Sequence, residues 1–186
     1  MSATRPAAAI LFDWGETLVS ILRLDHAASE TSAHSRPDLI AEDLGVIPDF
    51  VRESMKRLGL PGMKVLRWER QWKLPDRPLI DPREFPALSV ATTGTHDIVP
   101  LAATEDGETA EQQDAVLRSL LESGSNFTLM PVQDVFGWTA RVNTPAVVDD
   151  VNWTWRLPWP VDEWLDRSDT VTRARMLHEW TRNAGR

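Results

Sequence analysis

The stretch DLIAEDLGV (residues 38–46) decides the fold of this chain. Its apolar residues 39–41 run directly into Glu42 and Asp43, and a proline-started helix follows a leucine and a glycine. A short buried strand that ends in acids and then turns into a helix is how a parallel α/β barrel presents catalytic groups. Because side chains alternate along a strand, Glu42 and Asp43 face opposite ways, and only one of them can point into the barrel mouth.

A second stretch, ALSVATTGTHD (residues 87–97), has the same design. Leu88, Val90 and Thr92 alternate as they do in a strand, and the stretch ends in a polar cluster that contains His96 and Asp97. Strands with carboxylates at their carboxyl ends predict paired-carboxylate chemistry at one edge of the sheet.

The rest of the chain predicts alternating strands and helices. Pro48 and Asp49 begin a helix with Val51, Met55 and Leu58 on its apolar face, and a glycine at position 59 ends it. The same patterns predict further strands at 63–68 and 126–135, and helices at 108–122 and 162–183. Ala115, Leu117, Leu120 and Leu121 are expected core contacts, the polar residues 166–170 are expected to interrupt the last helix, and four prolines exclude any element across 73–86.

This order of elements predicts an α/β fold with parallel strands linked by helices. At 186 residues, the chain is long enough for one domain with a core. It is short for a complete eight-stranded barrel, which usually needs about 250 residues or more. Four strands with polar residues at their carboxyl ends therefore predict a partial (β/α) TIM-type barrel with long loops.

Composition narrows the class of function. The net charge of −8 disfavours nucleic acid as a partner, and the absence of cysteine excludes disulfides and thiolate chemistry. No run of about 18 apolar residues predicts a membrane span, and the amino terminus is too weak for a secretory signal, so a cytoplasmic location is expected. Nine tryptophans without a tyrosine suit either core packing or stacking on sugar faces.

Four segments in one order resemble a known family. They are IAEDLGVIPDFVRESMKRLGLPGMKVLRWE (40–69), SVATTGTHD (89–97), LMPVQDVFGWTARVNTPA (129–146) and NWTWRLP (152–158). They resemble the C-terminal part of the 4-alpha-glucanotransferases, the amylomaltase or disproportionating enzymes of glycoside hydrolase family 77. The resemblance implies the C-terminal half of a TIM barrel that transfers α-1,4-glucan segments by a retaining mechanism. It implies α-1,4-glucans and maltooligosaccharides as partners, and neither a cofactor nor a metal.

The resemblance also implies roles for four residues. Glu42 matches the general acid/base of the family, and Asp97 matches the carboxylate that steadies the transition state. His96 matches a sugar-binding neighbour, and Asn143 matches a residue near the donor sugar. A general acid in this chemistry needs a raised pKa, because it protonates the glycosidic oxygen and later deprotonates the acceptor. Without the resemblance, the sequence is also compatible with structural roles: Glu42 as a cap of the following helix, Asp97 as a loop cap, and His96 as a hydrogen-bonded turn residue.

The start of the chain departs from the family. The family nucleophile is an aspartate in an R-I-D-H motif several tens of residues before the AED strand, whereas only 41 residues precede Glu42 here. Arg23-Leu24-Asp25-His26 spells a similar tetrapeptide close ahead of that strand, and Asp25 is not expected to act as the nucleophile. We therefore expect the chain to be a truncated form with poor or no transferase activity by itself.

This departure predicts that the chain has two segments. Residues 1–36 form an atypical start, which is foreign or rearranged, and residues 37–186 form the C-terminal half of the barrel. Residues 8–20 resemble the opening strand of haloacid dehalogenase-like phosphatases, with Asp13 as nucleophile and Mg²⁺ as cofactor, although Gly15 replaces the second aspartate. Three functions thus compete: a 4-alpha-glucanotransferase, a catalytically incompetent α-glucan-binding fragment, and a phosphatase-like hydrolase. The acid pair Asp149-Asp150 imitates a metal site, but it lies between two family motifs and is expected to be loop.

Overall fold

A computed structural model describes the backbone of residues 19–22, 38–104 and 108–186, and the side chains of 39–104 and 108–186. In these residues five strands form one sheet, in the order in which they follow along the chain. The strands are β1 (Val19–Leu22), β2 (Asp38–Ala41), β3 (Gly62–Val65), β4 (Ser89–Thr92) and β5 (Phe127–Leu129).

Strands β2 to β5 run parallel to one another, which confirms the predicted partial α/β barrel. Strand β1 differs, because it pairs with β2 in the antiparallel direction, with Val19 opposite Ala41 and Leu22 opposite Asp38. The last residue of β1 therefore lies at the amino end of β2, away from Glu42.

Four helices accompany the sheet in the described part of the chain: α1 (Asp49–Leu58), α2 (Ala110–Leu121), α3 (Val132–Phe136) and α4 (Ser168–Asn183). The predicted limits of α1 are confirmed, and Gly59 ends it in the left-handed conformation (φ 69°) that glycine adopts without a steric penalty. The last helix is interrupted as expected, since a 3-10 helix over Val161–Asp166 precedes α4.

Several predicted limits were wrong. The strand predicted at 126–135 stops at Leu129, because Pro131 starts the short helix α3. The strand predicted at 63–68 stops at Val65, where Trp68 donates its backbone N–H to the Val65 carbonyl (2.8 Å) and closes a turn. A single 3-10 turn, Pro82–Glu84, also lies in the stretch that was expected to hold no element.

Two residues expected in the core are exposed instead. Leu58 is 67% exposed, because it lies in the last turn of α1 beyond the buried Met55. Ala115 is exposed because the buried face of α2 is set by other residues, among them Leu117 and Leu120. The core predictions for Leu117, Leu120 and Leu121 are confirmed.

The core lies on both faces of the parallel sheet. On one face Ala91 packs with Leu120 of α2 and with Phe85. On the other face Ile40, Met63 and Val90, from three neighbouring strands, form a second cluster. Because Val90 and Ala91 are consecutive in β4, their opposite placement follows the alternation of a strand and shows that β4 is buried on both sides.

Some predictions lie outside the described residues. These are the strand at the start of the chain, Asp13 and Asp25, and with them most of the segment 1–36. Within the described ranges, no helix has both the length and the apolar character that crossing a membrane requires.

Candidate active site

The carboxyl ends of the four parallel strands lie at one edge of the sheet, because parallel strands share their direction. Glu42 and Asp43 follow β2, and His96 and Asp97 lie in the loop after β4. Strand β3 separates β2 from β4, so the two groups belong to strands about 10 Å apart at the usual spacing. The convergence of Glu42 and Asp97 on one cleft stays a prediction.

At the end of β2, the two acids have different environments. Asp43 is buried, pairs with the Arg52 guanidinium (Nη1–Oδ2, 2.7 Å) and accepts the backbone N–H of Met63 (2.8 Å). Glu42 is exposed. Asp43 therefore joins β2 to α1 and β3, and Glu42 is the acid of this pair that is left facing solvent.

Gly62 makes the position of Asp43 possible. A Cβ atom at residue 62 would lie 2.6 Å from Oδ1 of Asp43 and 2.8 Å from its Cγ, which is closer than real Cβ atoms come. Since Asp43 is held by Arg52 and by the Met63 backbone, its carboxylate has little room to retreat. Glycine at the first position of β3 thus allows the Asp43 carboxylate to pack at the end of β2.

The loop after β4 brings three predicted residues together. The Asp97 carboxylate oxygen Oδ1 lies 3.1 Å from Nε2 of His96 and accepts a hydrogen bond from the side-chain amide of Asn143 (2.6 Å). The His96 side chain is 21% exposed and that of Asp97 is 40% exposed. This carboxylate–imidazole–amide group is defined here as the 96/97/143 network. It presents charge and hydrogen-bond capacity at a surface that a polar ligand can reach.

Arg141 was not singled out in the sequence, yet it holds the same network through the backbone. Its Nη2 donates to the Asp97 carbonyl (2.8 Å), and its Nε donates to the Asn143 carbonyl (3.1 Å). The backbone N–H of Asn143 in turn donates to the His96 carbonyl (3.2 Å). The arginine two positions before Asn143 in the R-V-N-T-P motif was the available signal, but a backbone contact leaves no pattern in the residues it touches.

A buried carboxylate after β5 supports the β4 loop from the other side. Asp134 is 1% exposed, accepts the Thr93 hydroxyl and accepts the backbone N–H of Leu101 (2.7 Å). Both donors flank the segment that carries His96 and Asp97. The structure thus makes Asp134 the anchor of this segment.

Asn152 holds the loop that follows Asn143. Its Oδ1 accepts the backbone N–H of Thr144 (2.9 Å), and its Nδ2 donates to the carbonyls of Thr144 (3.2 Å) and Val147 (2.7 Å).

Asp149 also has a local role, because its Oδ1 accepts the backbone N–H groups of Val151 and Asn152. The acid pair at 149–150 therefore lies in a loop, as expected. Across residues 39–104 and 108–186, no group of three His, Cys, Asp or Glu side chains is placed to hold a metal ion.

A cavity of about 420 Å³ opens next to the 96/97/143 network. Residues from the β4 loop, from α3 and its approach, and from the 140–142 segment line it, including His96, Asp134 and Arg141. Its volume lies in the usual range of small-molecule sites. The cavity is at the carboxyl edge of β4 and β5, where barrels of this kind bind their ligands.

A parallel half-barrel with acids after β2 and β4 defines the chain as a (β/α)-barrel protein with its polar site at the carboxyl edge. The family model described as 4-alpha-glucanotransferase, of glycoside hydrolase family 77, matches residues 14–162. The chain belongs to this family, which confirms the resemblance seen in its motifs.

Individual relatives agree with the family model. A 4-alpha-glucanotransferase of Chlamydia pneumoniae is 29% identical over 153 residues, an alignment that covers 67% of this chain and 29% of the relative. One from Streptococcus pneumoniae is 33% identical over 139 residues, with 64% and 27% covered. Among solved structures, the amylomaltase from Streptococcus agalactiae in complex with acarbose superposes with a TM-score of 0.61 at 26% identity, covering 79% of this chain and 32% of that one. The chain thus spans less than a third of the length of these relatives.

Proposed function

We propose that this chain carries the acid/base and sugar-binding part of a cytoplasmic 4-alpha-glucanotransferase, which transfers α-1,4-glucan segments between glucan chains by a retaining mechanism. The observation that carries the proposal is the 96/97/143 network, which places a carboxylate, an imidazole and an amide next to a cavity at the carboxyl edge of the sheet. The acarbose bound to the related amylomaltase supports a maltooligosaccharide as the ligand.

Glu42 is the general acid/base of this proposal. In the first step it protonates the glycosidic oxygen that leaves, and in the second step it takes the proton of the acceptor hydroxyl. The neighbouring Asp43 cannot share this role, because its carboxylate is buried against Arg52 and the Met63 backbone. The exposure of Glu42 allows a glycosidic oxygen to approach it.

Asp97 and its two partners hold the sugar and favour its charged transition state. The sugar ring becomes oxocarbenium-like as the glycosidic bond breaks, so a nearby carboxylate lowers the barrier. The imidazole of His96 and the amide of Asn143 orient that carboxylate toward the ring hydroxyls of the sugar.

A second candidate function is α-glucan binding without turnover. Retaining transfer needs a nucleophilic carboxylate about 5–5.5 Å from the acid. Strand β1 lies beside β2 but runs antiparallel, and its last residue, Leu22, is opposite Asp38 at the far end from Glu42. Strand β1 itself, Val19–Leu22, carries no carboxylate, so among the described residues the neighbour of β2 on this side supplies no nucleophile.

The experiment that tests both functions measures binding and turnover on the same purified chain. We expect acarbose to bind, as measured by isothermal titration calorimetry, and glucose release from maltotriose to be slow. The control variant is Asp25→Asn, which should leave this slow release unchanged. Fast release that Asp25→Asn abolishes would make Asp25 the nucleophile, and absence of acarbose binding would contradict both functions.

A further inference from the structure

Trp153 has a backbone conformation that its own side chain does not favour. Its φ angle is +65°, in the left-handed region that bulky side chains rarely adopt. Such a conformation is unfavourable for a tryptophan and persists only where the surrounding structure holds it, and residues of this kind cluster at ligand sites. Burial of the side chain does not offset this unfavourable backbone conformation, because Trp153 is 53% exposed.

The surrounding loop holds Trp153 in this conformation. Its backbone N–H donates to the Val142 carbonyl (2.9 Å), and the preceding residue, Asn152, makes the side-chain hydrogen bonds to Thr144 and Val147 described above. Both anchors lie in the segment that also supplies Asn143. The strain at Trp153 is therefore maintained by the same loop that builds the 96/97/143 network.

This conformation places the indole beside the His96 ring. The two ring centroids are 4.9 Å apart, and the ring planes are inclined by 38°. An exposed aromatic face thus adjoins a carboxylate, an imidazole and an amide. A glucose ring has a matching structure, with an apolar face of C–H groups and a rim of hydroxyls that need hydrogen-bond partners.

The other tryptophans of the region are engaged with one another. Trp138 stacks on Phe136 at 4.9 Å and meets Trp159 edge to face at 5.4 Å, while Trp159 carries the Arg167 guanidinium at 3.9 Å. All three aromatic rings are half-buried. Their contacts explain them as packing, whereas the exposed, strained Trp153 remains to be explained.

We propose that Trp153 is a substrate-binding residue that forms the aromatic wall of the sugar site. Its indole packs on the apolar face of one glucose unit while Asp97 and Asn143 bind that unit's hydroxyls. This inference rests on the proposed α-glucan function and adds to it a residue that recognises the ring itself rather than its hydroxyls.

The test is acarbose binding, measured by isothermal titration calorimetry, in Trp153→Ala, Trp153→Phe and the matched control Trp72→Ala. Trp72 is also exposed (63%), but it belongs to the loop after β3, outside the 96/97/143 network. We expect Trp153→Ala to weaken acarbose binding by about tenfold or more, from the loss of one aromatic contact. Trp153→Phe should recover much of the affinity, and Trp72→Ala should bind as the unchanged chain does.

Recovery by phenylalanine separates stacking from a structural role, because it restores an aromatic face at the same backbone strain. If the alanine variant does not fold, Trp153→Gly carries the comparison, since glycine adopts this φ angle without strain. Undiminished affinity in Trp153→Ala would overturn the inference while leaving the glucan proposal intact. Absence of acarbose binding by the unchanged chain would overturn both.

Discussion

The carboxyl ends of β2 and β4 both carry acidic residues, but the two ends hold these residues in different ways. After β2, two consecutive acids have different roles: Asp43 is buried and holds the end of the strand, and Glu42 is exposed. After β4, the residues proposed to bind the sugar, His96 and Asp97, are themselves part of a hydrogen-bond network with Asn143. Substitutions after β2 should therefore separate function from stability, whereas substitutions after β4 should affect both.

The largest expected effect is that of Glu42→Gln. The amide keeps the shape of the side chain but cannot exchange the proton, so glucose release from maltotriose should fall by about 10²–10⁴-fold. The free energy of unfolding should change by less than about 0.5 kcal/mol, because the residue is exposed. Glu53→Gln, an exposed glutamate of α1, is the control and should retain turnover. Turnover of Glu42→Gln equal to that of the control would mean that another residue is the acid.

The converse variant, Asp43→Ala, should affect stability most. It leaves the buried N–H of Met63 without its acceptor and Arg52 without its carboxylate, at a cost of about 2–3 kcal/mol in the free energy of unfolding. Urea denaturation measures this, with Asp76→Ala at an exposed position as the control. A loss no larger than in the control would show that Asp43 does not hold the end of β2.

Gly62→Ala tests the same packing without removing a polar group. The added methyl would overlap the Asp43 carboxylate, so we expect a loss of about 2 kcal/mol in the free energy of unfolding. Gly94→Ala is the matched control, because a Cβ atom there would meet its nearest neighbour, Cβ of Ile98, at an ordinary 3.8 Å. Equal denaturation midpoints for the two variants would contradict the close approach at Gly62.

Asn143→Ala should show the coupling expected after β4. It removes one hydrogen bond to Asp97, which should lower the free energy of unfolding by about 1 kcal/mol. Acarbose affinity should fall in the same variant, because Asp97 loses the group that orients it. Asn183→Ala, at the exposed end of α4, serves as control for both measurements. A change in stability with unchanged affinity would mean that stability and binding are separable after β4, as they are expected to be after β2.

Local signals in the sequence were sufficient for much of the fold. Pro48, Asp49 and Gly59 predicted both limits of α1, because helix ends depend on the conformational preferences and charges of the residues that form them. The strands β2 and β4 followed from apolar runs that end in polar residues. The limits of β3 and β5 were missed because apolar runs continue past both strands, whereas a turn closed by the Trp68 N–H ends β3 and the helix that follows Pro131 ends β5.

The sequence by itself determined the family and the parallel order of the strands, because these depend on short motifs and on alternation along one strand. The same family motifs predicted His96, Asp97 and Asn143 as site residues. It also showed that Glu42 and Asp43 face opposite ways. Only the tertiary structure decided that Asp43 is the buried one, because Arg52 and the Met63 backbone come from other elements. It likewise placed Trp153 against His96, since a left-handed backbone and a ring contact between distant loops arise from packing and leave no periodic pattern in the chain.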